Sequence, residues 1–345
     1  MSEQLHLLRD HTTLRVGGPA ARWVRATTED EAVAAVSAAD DRGEPVLVLG
    51  GGSNLLVADE GFPGTVVELA MADVVVEGDD DGPSCGGVSV TAGAGAGWDD
   101  LVARACERGW VGLEALSGIP GTVGATPVQN VGAYGQEVAQ TIARVRTWDR
   151  VERRVRSFAA AECGFGYRSS RFKSDPTRHL VLAVTFQLRT GDLSAPVGYA
   201  ELARTLGVES GQRAPLGDVR AAVLGLRAGK GMVLDPDDRD TWSAGSFFTN
   251  PVLPAERVPE GAPSWPAADG QVKTSAAWLI EHAGFTKGYG GPAASLSTKH
   301  TLALTNRGGA SAADLLALAR EVRDGVEARF GIRLVNEPVL VGCEL

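Results

Sequence analysis

Ser246 is the residue whose surroundings best fit a proton donor. It lies in the run AGSFF (residues 244–248), between small residues and two phenylalanines. A hydroxyl held there could deliver a proton with little competition from water. The run alone also fits an ordinary strand serine beside core phenylalanines, and it lacks the GxSxG spacing of a nucleophile elbow.

Two charged residues far from Ser246 have the chemistry to act on a carboxylate or an enolate. Arg168 lies in FGYRSSRFK (residues 165–173), and its guanidinium could hold a carboxylate through two parallel hydrogen bonds. A basic surface patch would explain the same residues without a function. Glu337, in VNEPV, is either a charge on an edge strand or a functional acid.

Two glycine-rich segments predict a place where backbone approaches a ligand. The first, which we call the glycine turn, is GGGSN (residues 50–54) directly after the apolar run PVLVL. The second, the uncharged segment, covers residues 116–135 and contains SGIPG and QNVGAYG. Backbone N–H groups and small hydroxyls in such segments can hold a diphosphate. The spacing is not that of a Rossmann fingerprint, and a plain turn remains an alternative for the glycine turn alone.

Local patterns predict the elements that carry these residues. Thr28 and Glu31 form a capping-box pattern before a helix through roughly Asp40, and Ser311 opens a long amphipathic helix. The other predicted elements are a buried strand at 45–49, extended chain at 55–57, strands with tight turns over 65–94, a helix at 98–108, strands over 142–188, partly helical chain over 202–230, a short helix at 275–282 and a strand over 332–342. The acidic turn at 77–82 reads as a solvated loop.

Composition narrows the class of protein. The 345 residues exceed what one hydrophobic core usually supports, and a net charge of -10 disfavours nucleic acid and anionic membranes. No apolar run is long enough to cross a bilayer, and the N-terminus lacks a signal-peptide pattern. Four scattered cysteines and five scattered histidines predict no metal site and favour reduced thiols in the cytoplasm.

Taken in order, the motifs resemble the UDP-N-acetylenolpyruvoylglucosamine reductase family over nearly the whole chain. The matching motifs are His11-Thr12-Thr13, the glycine turn, the turn at Gly95–Trp98, SGIPG, QNVGAYG, Tyr167-Arg168-x-Ser170-x-Phe172-Lys173, Leu234-Asp235-Pro236, AGSFFxNP and Asn336-Glu337-Pro338. Their number and register make the resemblance specific.

The resemblance implies an α+β fold with a two-domain FAD-binding unit of the vanillyl-alcohol-oxidase type and a separate α+β substrate-binding domain. It places FAD-binding domain 1 in residues 1–70 with 334–345 and FAD-binding domain 2 in 71–230, with a substrate loop near 199. The substrate-binding domain would then cover 231–333.

The resemblance also implies roles for individual residues. Arg168, Ser246 and Glu337 match the catalytic arginine, serine and glutamate. Substrate-binding positions are Tyr167, Tyr199 in an extra substrate-covering loop, Lys230 near the nucleotide diphosphate, and Asn250; Thr249 stands where some members carry lysine. Cofactor-binding positions are Gly50, Gly51, Gly52, Ser53, Asn54, Ser117, Gly118, Ile119, Gly121, Thr122, Gly124, Ala125, Gln129, Asn130, Gly132 and Tyr134.

The implied reaction uses FAD and NADPH to reduce the enolpyruvyl group of UDP-N-acetylglucosamine enolpyruvate during peptidoglycan precursor synthesis. Hydride would pass from reduced FAD N5 to C3, and Ser246 would protonate C2. Arg168 and a protonated Glu337 would stabilise the enolate between these steps. No metal, nucleic acid, membrane or obligate protein partner is implied.

Two other interpretations remain open from the sequence. One is a flavin oxidase of the same cofactor-binding type acting on an alcohol or sugar. Such enzymes often attach FAD covalently, but no histidine or cysteine lies between Gly109 and Gln136. The other is a flavin- or nucleotide-binding module without turnover, for which a proton donor would serve no purpose.

Overall fold

The computed structural model describes residues 5–78 and 87–345, which divide into two compact units. Unit 1 contains the described residues up to Ala20, then Gly52–Phe62 and Gly229–Leu345; unit 2 contains Ala21–Gly51 and Pro63–Ala228. The predicted three-domain boundaries stay a prediction. Cys85 and the part of the acidic turn from residue 79 to 82 lie outside the described residues.

Both units contain helices and strands. The α-helices of the described residues are α1 (Glu29–Asp41), α2 (Trp98–Glu107), α3 (Arg171–Ser174), α4 (Ala200–Leu206), α5 (Leu216–Gly229), α6 (Ala276–His282) and α7 (Ala312–Phe330). The strands are β1 (Ala20–Ala26), β2 (Val46–Leu49), β3 (Leu55–Val57), β4 (Phe62–Leu69), β5 (Val74–Glu77), β6 (Val88–Gly93), β7 (Trp110–Val111), β8 (Gly132–Ala133), β9 (Gln136–Glu137), β10 (Ile142–Asp149), β11 (Arg154–Ala159), β12 (His179–Thr190), β13 (Val252–Leu253), β14 (Ser264–Pro266), β15 (Val272–Thr274), β16 (Ala294–Leu296), β17 (Leu304–Asn306) and β18 (Val339–Val341).

An antiparallel sheet forms the centre of unit 2. Its strand order is β11-β10-β12-β6-β5, and β7 also pairs with β12. The long strand β12 pairs with β10 on one edge and with β6 on the other, and it is buried along most of its length. The strands predicted over 65–94 and 142–188 are therefore present, although the second stretch also contains the short helix α3.

A smaller sheet of unit 2, with strand order β1-β4-β2, carries the start of the glycine turn. Helix α1 begins where predicted, because the Thr28 hydroxyl accepts a hydrogen bond from the Glu31 N–H, and the Glu31 carboxylate accepts from the Thr27 N–H. The expectation of a buried strand at 45–49 was wrong in part. Strand β2 lies at the sheet edge, so only Leu49 is fully buried.

A third part of unit 2 is a loop that we call the tyrosine loop (residues 192–215), followed by helix α5. Backbone hydrogen bonds join Ser194 N–H to Ala214 and Val197 N–H to Gln212, each 2.8 Å long. Helix α4, inside the loop, ends at Gly207 in a left-handed conformation. Apolar side chains of the loop, of α4 and of α5 form a small core of their own.

Unit 1 joins segments from distant parts of the chain. Strand β18 pairs in parallel with β3, and a separate sheet has the order β13-β15-β14. The predicted strand over 332–342 was too long, since only Val339–Val341 pairs in a ladder. Helix α7 starts at the Ser311 cap, and its predicted apolar face is buried, with Leu315, Ala319 and Val322 fully covered. No helix of the described ranges is long and apolar enough to cross a membrane.

Candidate functional site

The start of the glycine turn and the uncharged segment meet in unit 2. A Cβ atom added to Gly51 would lie 2.6 Å from the Gly121 Cα, and one added to Gly50 would lie 2.5 Å from the Thr122 Oγ1. Glycine is required at Gly51 because an added Cβ would overlap the Gly121 backbone, whereas at Gly50 it would overlap the hydroxyl of the Thr122 side chain. The glycine turn and the uncharged segment, which are far apart in the sequence, therefore pack directly against each other.

The uncharged segment is held at its other side by residues 94–99. Gly124 N–H donates to Ala94 and Val123 N–H to Ala96, both at 2.9 Å. The Gly118 N–H donates to the Asp99 carboxylate at 2.6 Å, and Gly118 itself has a left-handed φ of 69°. Ser117 is fully buried and donates to the carbonyl of Glu114. These contacts fix a run of backbone N–H groups and small side chains without placing a charge within it.

The remainder of the glycine turn lies in unit 1, beside the segment that carries Glu337. The Asn54 amide donates to the Glu337 carbonyl at 3.4 Å, and the Asn54 carbonyl accepts from Val339 N–H at 2.9 Å. Gly52, with a φ of 58°, packs so tightly against His11 that a side chain would overlap the His11 carbonyl. The motif at residues 11–13 therefore supports this turn.

Ser246 and Glu337 are brought together by backbone pairing within unit 1. Glu337 N–H donates to the Phe247 carbonyl at 2.8 Å, and Phe248 forms an antiparallel bridge with Asn336. Both phenylalanines are 1% exposed, whereas Ser246 and Glu337 are half-buried. The serine therefore stands at the margin of a core, next to the segment of the carboxylate.

The loop leading to Ser246 is fixed by the N-terminal motif. The Thr13 hydroxyl donates to the Ser243 carbonyl at 2.6 Å, and Arg15 stacks over the Trp242 ring at 3.8 Å. The Ser243 hydroxyl accepts from Gly245 N–H, and Gly245 has a φ of 71°. The sequence alone assigned no purpose to Thr13 or Arg15, and the structure shows that they brace this loop.

Arg168 occupies a strained turn of unit 2. It has a φ of 50°, which is uncommon for a residue with a side chain, and the flanking Gly166 and Ser169 bond to each other through their backbones. The Arg168 guanidinium donates to the Gly132 carbonyl at 3.0 Å. The Lys173 side chain donates to the backbone carbonyl of Arg168, also at 3.0 Å. Arg168 thus lies directly against the uncharged segment.

Asn130 connects this turn with the uncharged segment. Its amide group donates to the Glu137 carboxylate at 2.7 Å and to the Gly166 carbonyl at 3.1 Å, and its side-chain oxygen accepts from Ala139 N–H. The residue is 1% exposed. Its side chain therefore holds the Arg168 turn in place through protein contacts.

Tyr134 and Tyr199 also meet in unit 2. Strands β8 and β9 form a hairpin whose two turn residues, Tyr134 and Gly135, have φ values of 49° and 84°, as in a type I′ turn. The Tyr134 and Tyr199 rings contact edge to face, with centroids 5.3 Å apart. Tyr199 is 42% exposed, so part of its ring is accessible to a ligand.

The other predicted residues lie in or near these segments. Asn250 accepts from the N–H of Ala276 at the start of α6, the Thr249 hydroxyl donates to Val335, and Lys230 is half-buried directly after α5. Ser53, Gln129, Ile119 and Tyr167 are half-buried or exposed, and Ala125 is exposed. No cluster of three or more potential metal-binding side chains occurs within residues 5–78 and 87–345.

Four charged residues of unit 2 that lie in or near these segments were not predicted from the sequence. Asp99 accepts from Gly118 and forms a two-point ion pair with Arg220, at 2.7 and 2.8 Å. Burial raises the pKa of Asp99, but the hydrogen bonds from Arg220 and Gly118 outweigh it and hold the pKa below its ordinary value. Glu114 is a buried acid, and Arg227 is a buried cation whose pKa is lowered by burial. For Glu114 the available signal was an acid within the apolar run VGLEAL, but its partners Gln136 and Ala195 are distant in sequence.

Comparisons with known proteins agree with this arrangement. A family model described as FAD binding domain matches residues 20–156, and one described as UDP-N-acetylenolpyruvoylglucosamine reductase, C-terminal domain, matches residues 235–341. The reductase of that name from Cutibacterium acnes is 60% identical over 97% of this chain and 89% of its own length. The reductase of the same name from Thermobifida fusca is 57% identical over 98% of this chain and 97% of its own length.

A solved structure supports the same relationship. The UDP-N-acetylenolpyruvylglucosamine reductase from Thermus caldophilus matches 98% of both chains, with a TM-score of 0.66 and 29% identity. The predicted fold class is confirmed: the described residues mix helices and strands, and an FAD-binding domain and the reductase C-terminal domain occupy successive parts of the chain. The chain belongs to the UDP-N-acetylenolpyruvoylglucosamine reductase family.

Proposed function

We propose that this chain is an FAD-dependent oxidoreductase that uses NADPH to reduce UDP-N-acetylglucosamine enolpyruvate to UDP-N-acetylmuramate. Family membership supports an FAD-dependent reductase of peptidoglycan synthesis. The single observation that carries the mechanism is the backbone pairing that sets Ser246 beside the Glu337 segment. NADPH as the reductant, the substrate and the residue roles are parts of this proposal.

The glycine segments fit the diphosphate of FAD. Gly51 lies against the Gly121 backbone at a distance that excludes a side chain, and Gly50 lies against the Thr122 hydroxyl. Glycines leave backbone N–H groups uncovered by side chains, which supports a diphosphate site here. Gly118 and Gly124 are fixed by hydrogen bonds to residues 94–99. When bound, FAD supplies hydride transfer from NADPH to C3 of the enolpyruvyl double bond.

Arg168 is the group proposed to bind the substrate carboxylate. Once hydride reaches C3, negative charge develops at C2 and spreads into this carboxylate. Preorganised cations and donors lower the energy of such a charge most effectively when they need not move during the reaction. The strained backbone and the bond to Gly132 hold the guanidinium in one place, which meets that condition.

Ser246 is proposed to protonate C2, and Glu337 to donate a hydrogen bond to the enolate oxygen in its protonated form. Serine is a weak acid, but an enolate carbon is basic enough to take its proton when the hydroxyl is well placed. The proton and the hydride together saturate the double bond, and NADPH leaves as NADP⁺. The contacts of residues 242–245 restrict the backbone that carries Ser246, which supports this role.

Ser246→Ala tests the proton donor because the two half-reactions can be measured separately. Reduction of the flavin by NADPH, followed as bleaching without oxygen, should keep its rate. Reoxidation by the enolpyruvyl substrate should slow by about 10²–10⁴-fold, the usual contribution of a general acid.

The exposed Ser264, in β14 of the same unit, provides the matched control. Ser264→Ala should leave both half-reactions unchanged. If Ser246→Ala slows both half-reactions equally, the proton-donor assignment is wrong. If the unmodified protein is bleached by NADPH but not reoxidised by the substrate, the proposed reaction itself is wrong.

A further inference from the structure

Glu114 is a buried carboxylate in the short 3-10 turn at Glu114–Leu116, directly before the uncharged segment, and the mechanism above does not use it. It is 1% exposed. One carboxylate oxygen accepts from the Gln136 side chain at 2.9 Å and from Ala195 N–H at 2.6 Å, while the other accepts from Gly112 N–H at 2.7 Å. A buried carboxylate with three such donors forms strong hydrogen bonds that are costly to lose.

The three donors belong to three different segments of unit 2. Gly112 follows β7, Gln136 begins β9 of the hairpin that carries Tyr134, and Ala195 lies at the start of the tyrosine loop. The Gln136 side-chain oxygen also accepts from Ala115 N–H at 2.9 Å, so a second hydrogen bond joins the hairpin to the Glu114 turn. Glu114 therefore bonds to both the hairpin and the tyrosine loop.

The tyrosine loop places Tyr199 on that hairpin. Ser194 and Val197 pair with the returning part of the loop, and Val197 packs with Leu202 in the small core. A Cβ atom on Gly135 would lie 3.9 Å from the Tyr199 backbone nitrogen, and the Tyr199 ring contacts Tyr134. Because Ala195 precedes Tyr199 by only four residues, the anchor at Ala195 limits how far Tyr199 can move.

We propose that Glu114 is a positioning residue that ties the tyrosine loop to the Tyr134 hairpin and thereby sets the affinity of the enzyme for its enolpyruvyl substrate. This inference rests on the proposed function and on the substrate-binding role that the family resemblance implies for Tyr199. Glu114 acts only through the position of Tyr199.

Glu114→Gln, in the FAD-loaded enzyme, removes the anchor with little change in volume. An amide has one acceptor oxygen, and its NH₂ group would face an N–H donor, so at least one buried donor loses its partner. The KM for the enolpyruvyl substrate should rise about tenfold, the order expected when one buried donor is left unsatisfied. The rate of flavin reduction by NADPH should change by less than about twofold, and hydrogen exchange at residues 194–199 should accelerate at least about tenfold.

Asp149→Asn is the matched control for a loss of stability alone. Asp149 is also a fully buried carboxylate of unit 2 and accepts from Arg178 and from two backbone N–H groups, but at the end of β10 rather than at the loop. This variant should lower the melting temperature and leave the KM unchanged. A Glu114→Gln variant that behaves in the same way would overturn the proposal.

A double-mutant cycle with Tyr199→Ala tests whether Glu114 acts through Tyr199. In the Tyr199→Ala background, Glu114→Gln should change the KM by less than about twofold. An unchanged tenfold effect in that background would contradict the route through Tyr199.

Ser194→Ala covers the case in which Glu114→Gln does not fold. The Ser194 hydroxyl accepts from Ala214 N–H and donates to the Ala195 carbonyl, so its removal loosens the same part of the loop without touching Glu114. It too should raise the KM, and an unaltered KM with faster exchange would refute the link to affinity. Failure of the wild-type enzyme to turn over would instead refute the proposed function, while hydrogen exchange would still report whether Glu114 anchors the loop.

Discussion

Asp149 shows how a single side chain links the fold to pH. It is fully buried at the end of β10, where Arg178 and the backbone N–H groups of Val151 and Glu152 bond to its carboxylate. Burial raises the pKa of Asp149, but the Arg178 and backbone hydrogen bonds outweigh it and lower the pKa to about 2. The folded protein therefore holds this carboxylate ionised well below the pH at which an unfolded chain would protonate it.

Asp149 should make the stability of the folded protein depend on acid pH. Because the folded pKa is depressed, the contribution of Asp149 is fully present above the unfolded value of about 3.9 and is lost as the pH falls toward 2. Melting temperatures of wild type and Asp149→Asn should differ most at pH 5–7 and converge below about pH 4. The exposed Asp269→Asn serves as the control, and a difference that stays constant with pH would contradict the assignment.

At the residue scale, the sequence shows which side chains could do chemistry, but it does not show their backbone conformation or their partners in the fold. The roles of Arg168 and Ser246 come from the match to the family motifs and stay predictions, and nothing in FGYRSSRFK shows that Arg168 has a positive φ. Glu114 was not singled out from the sequence, and its partner Ala195 is 81 residues away. Side-chain partners at such separations depend on the folded path of the chain, which local pattern does not contain.

Elements whose signals are local were predicted well. The caps at Thr28, Ser275 and Ser311 each accept a backbone hydrogen bond at the start of the predicted helix. The strand over 332–342 was overestimated because Ile332 and Leu334 alternate into the core as strand residues do. Residues 335–337 bond to residues 247–249 through single bridges and loop contacts rather than a continuous ladder.

An element-scale prediction concerns the contact between the two glycine segments. Gly51→Ala should release FAD, because the new Cβ would lie 2.6 Å from the Gly121 Cα and must push the segments apart. The ratio of visible flavin absorbance to protein absorbance after purification measures this loss.

Gly225→Ala is the control for that experiment. Gly225 lies inside α5, and no atom stands within 4 Å of an added Cβ. This variant should keep its flavin and gain about 0.5–1 kcal/mol of stability from the better helix former. A Gly51→Ala protein with a full complement of FAD would show that the glycine contact does not form the cofactor site.

At the scale of the whole molecule, family and fold class were accessible from the sequence because many motifs occur in one order. What the sequence did not show is which distant segments share a unit. Strand β3 pairs with β18, near the other end of the chain. The contact of Asn54 with Glu337 joins residues that are 283 positions apart. Such pairings follow from burial of apolar faces throughout the chain rather than from any single segment.

Removal of FAD should destabilise the molecule, since a ligand that binds only the folded state stabilises it by mass action. Adding FAD back at about 100 times its dissociation constant should recover about 2.7 kcal/mol, measured by thermal unfolding. Riboflavin, which lacks the diphosphate, is the control and should recover much less. Equal recovery with riboflavin would contradict a site built to hold the diphosphate.

The pairing of β3 with β18 also has a consequence for synthesis on the ribosome. At roughly 5–20 residues per second, the 283 residues that separate Asn54 from Glu337 correspond to a delay of roughly 15–55 s. During that interval the Leu55–Val57 strand has emerged while its parallel neighbour does not yet exist. The exposed edge of this early strand is a point at which a nascent chain could aggregate or recruit a chaperone, until the last strand arrives to cover it.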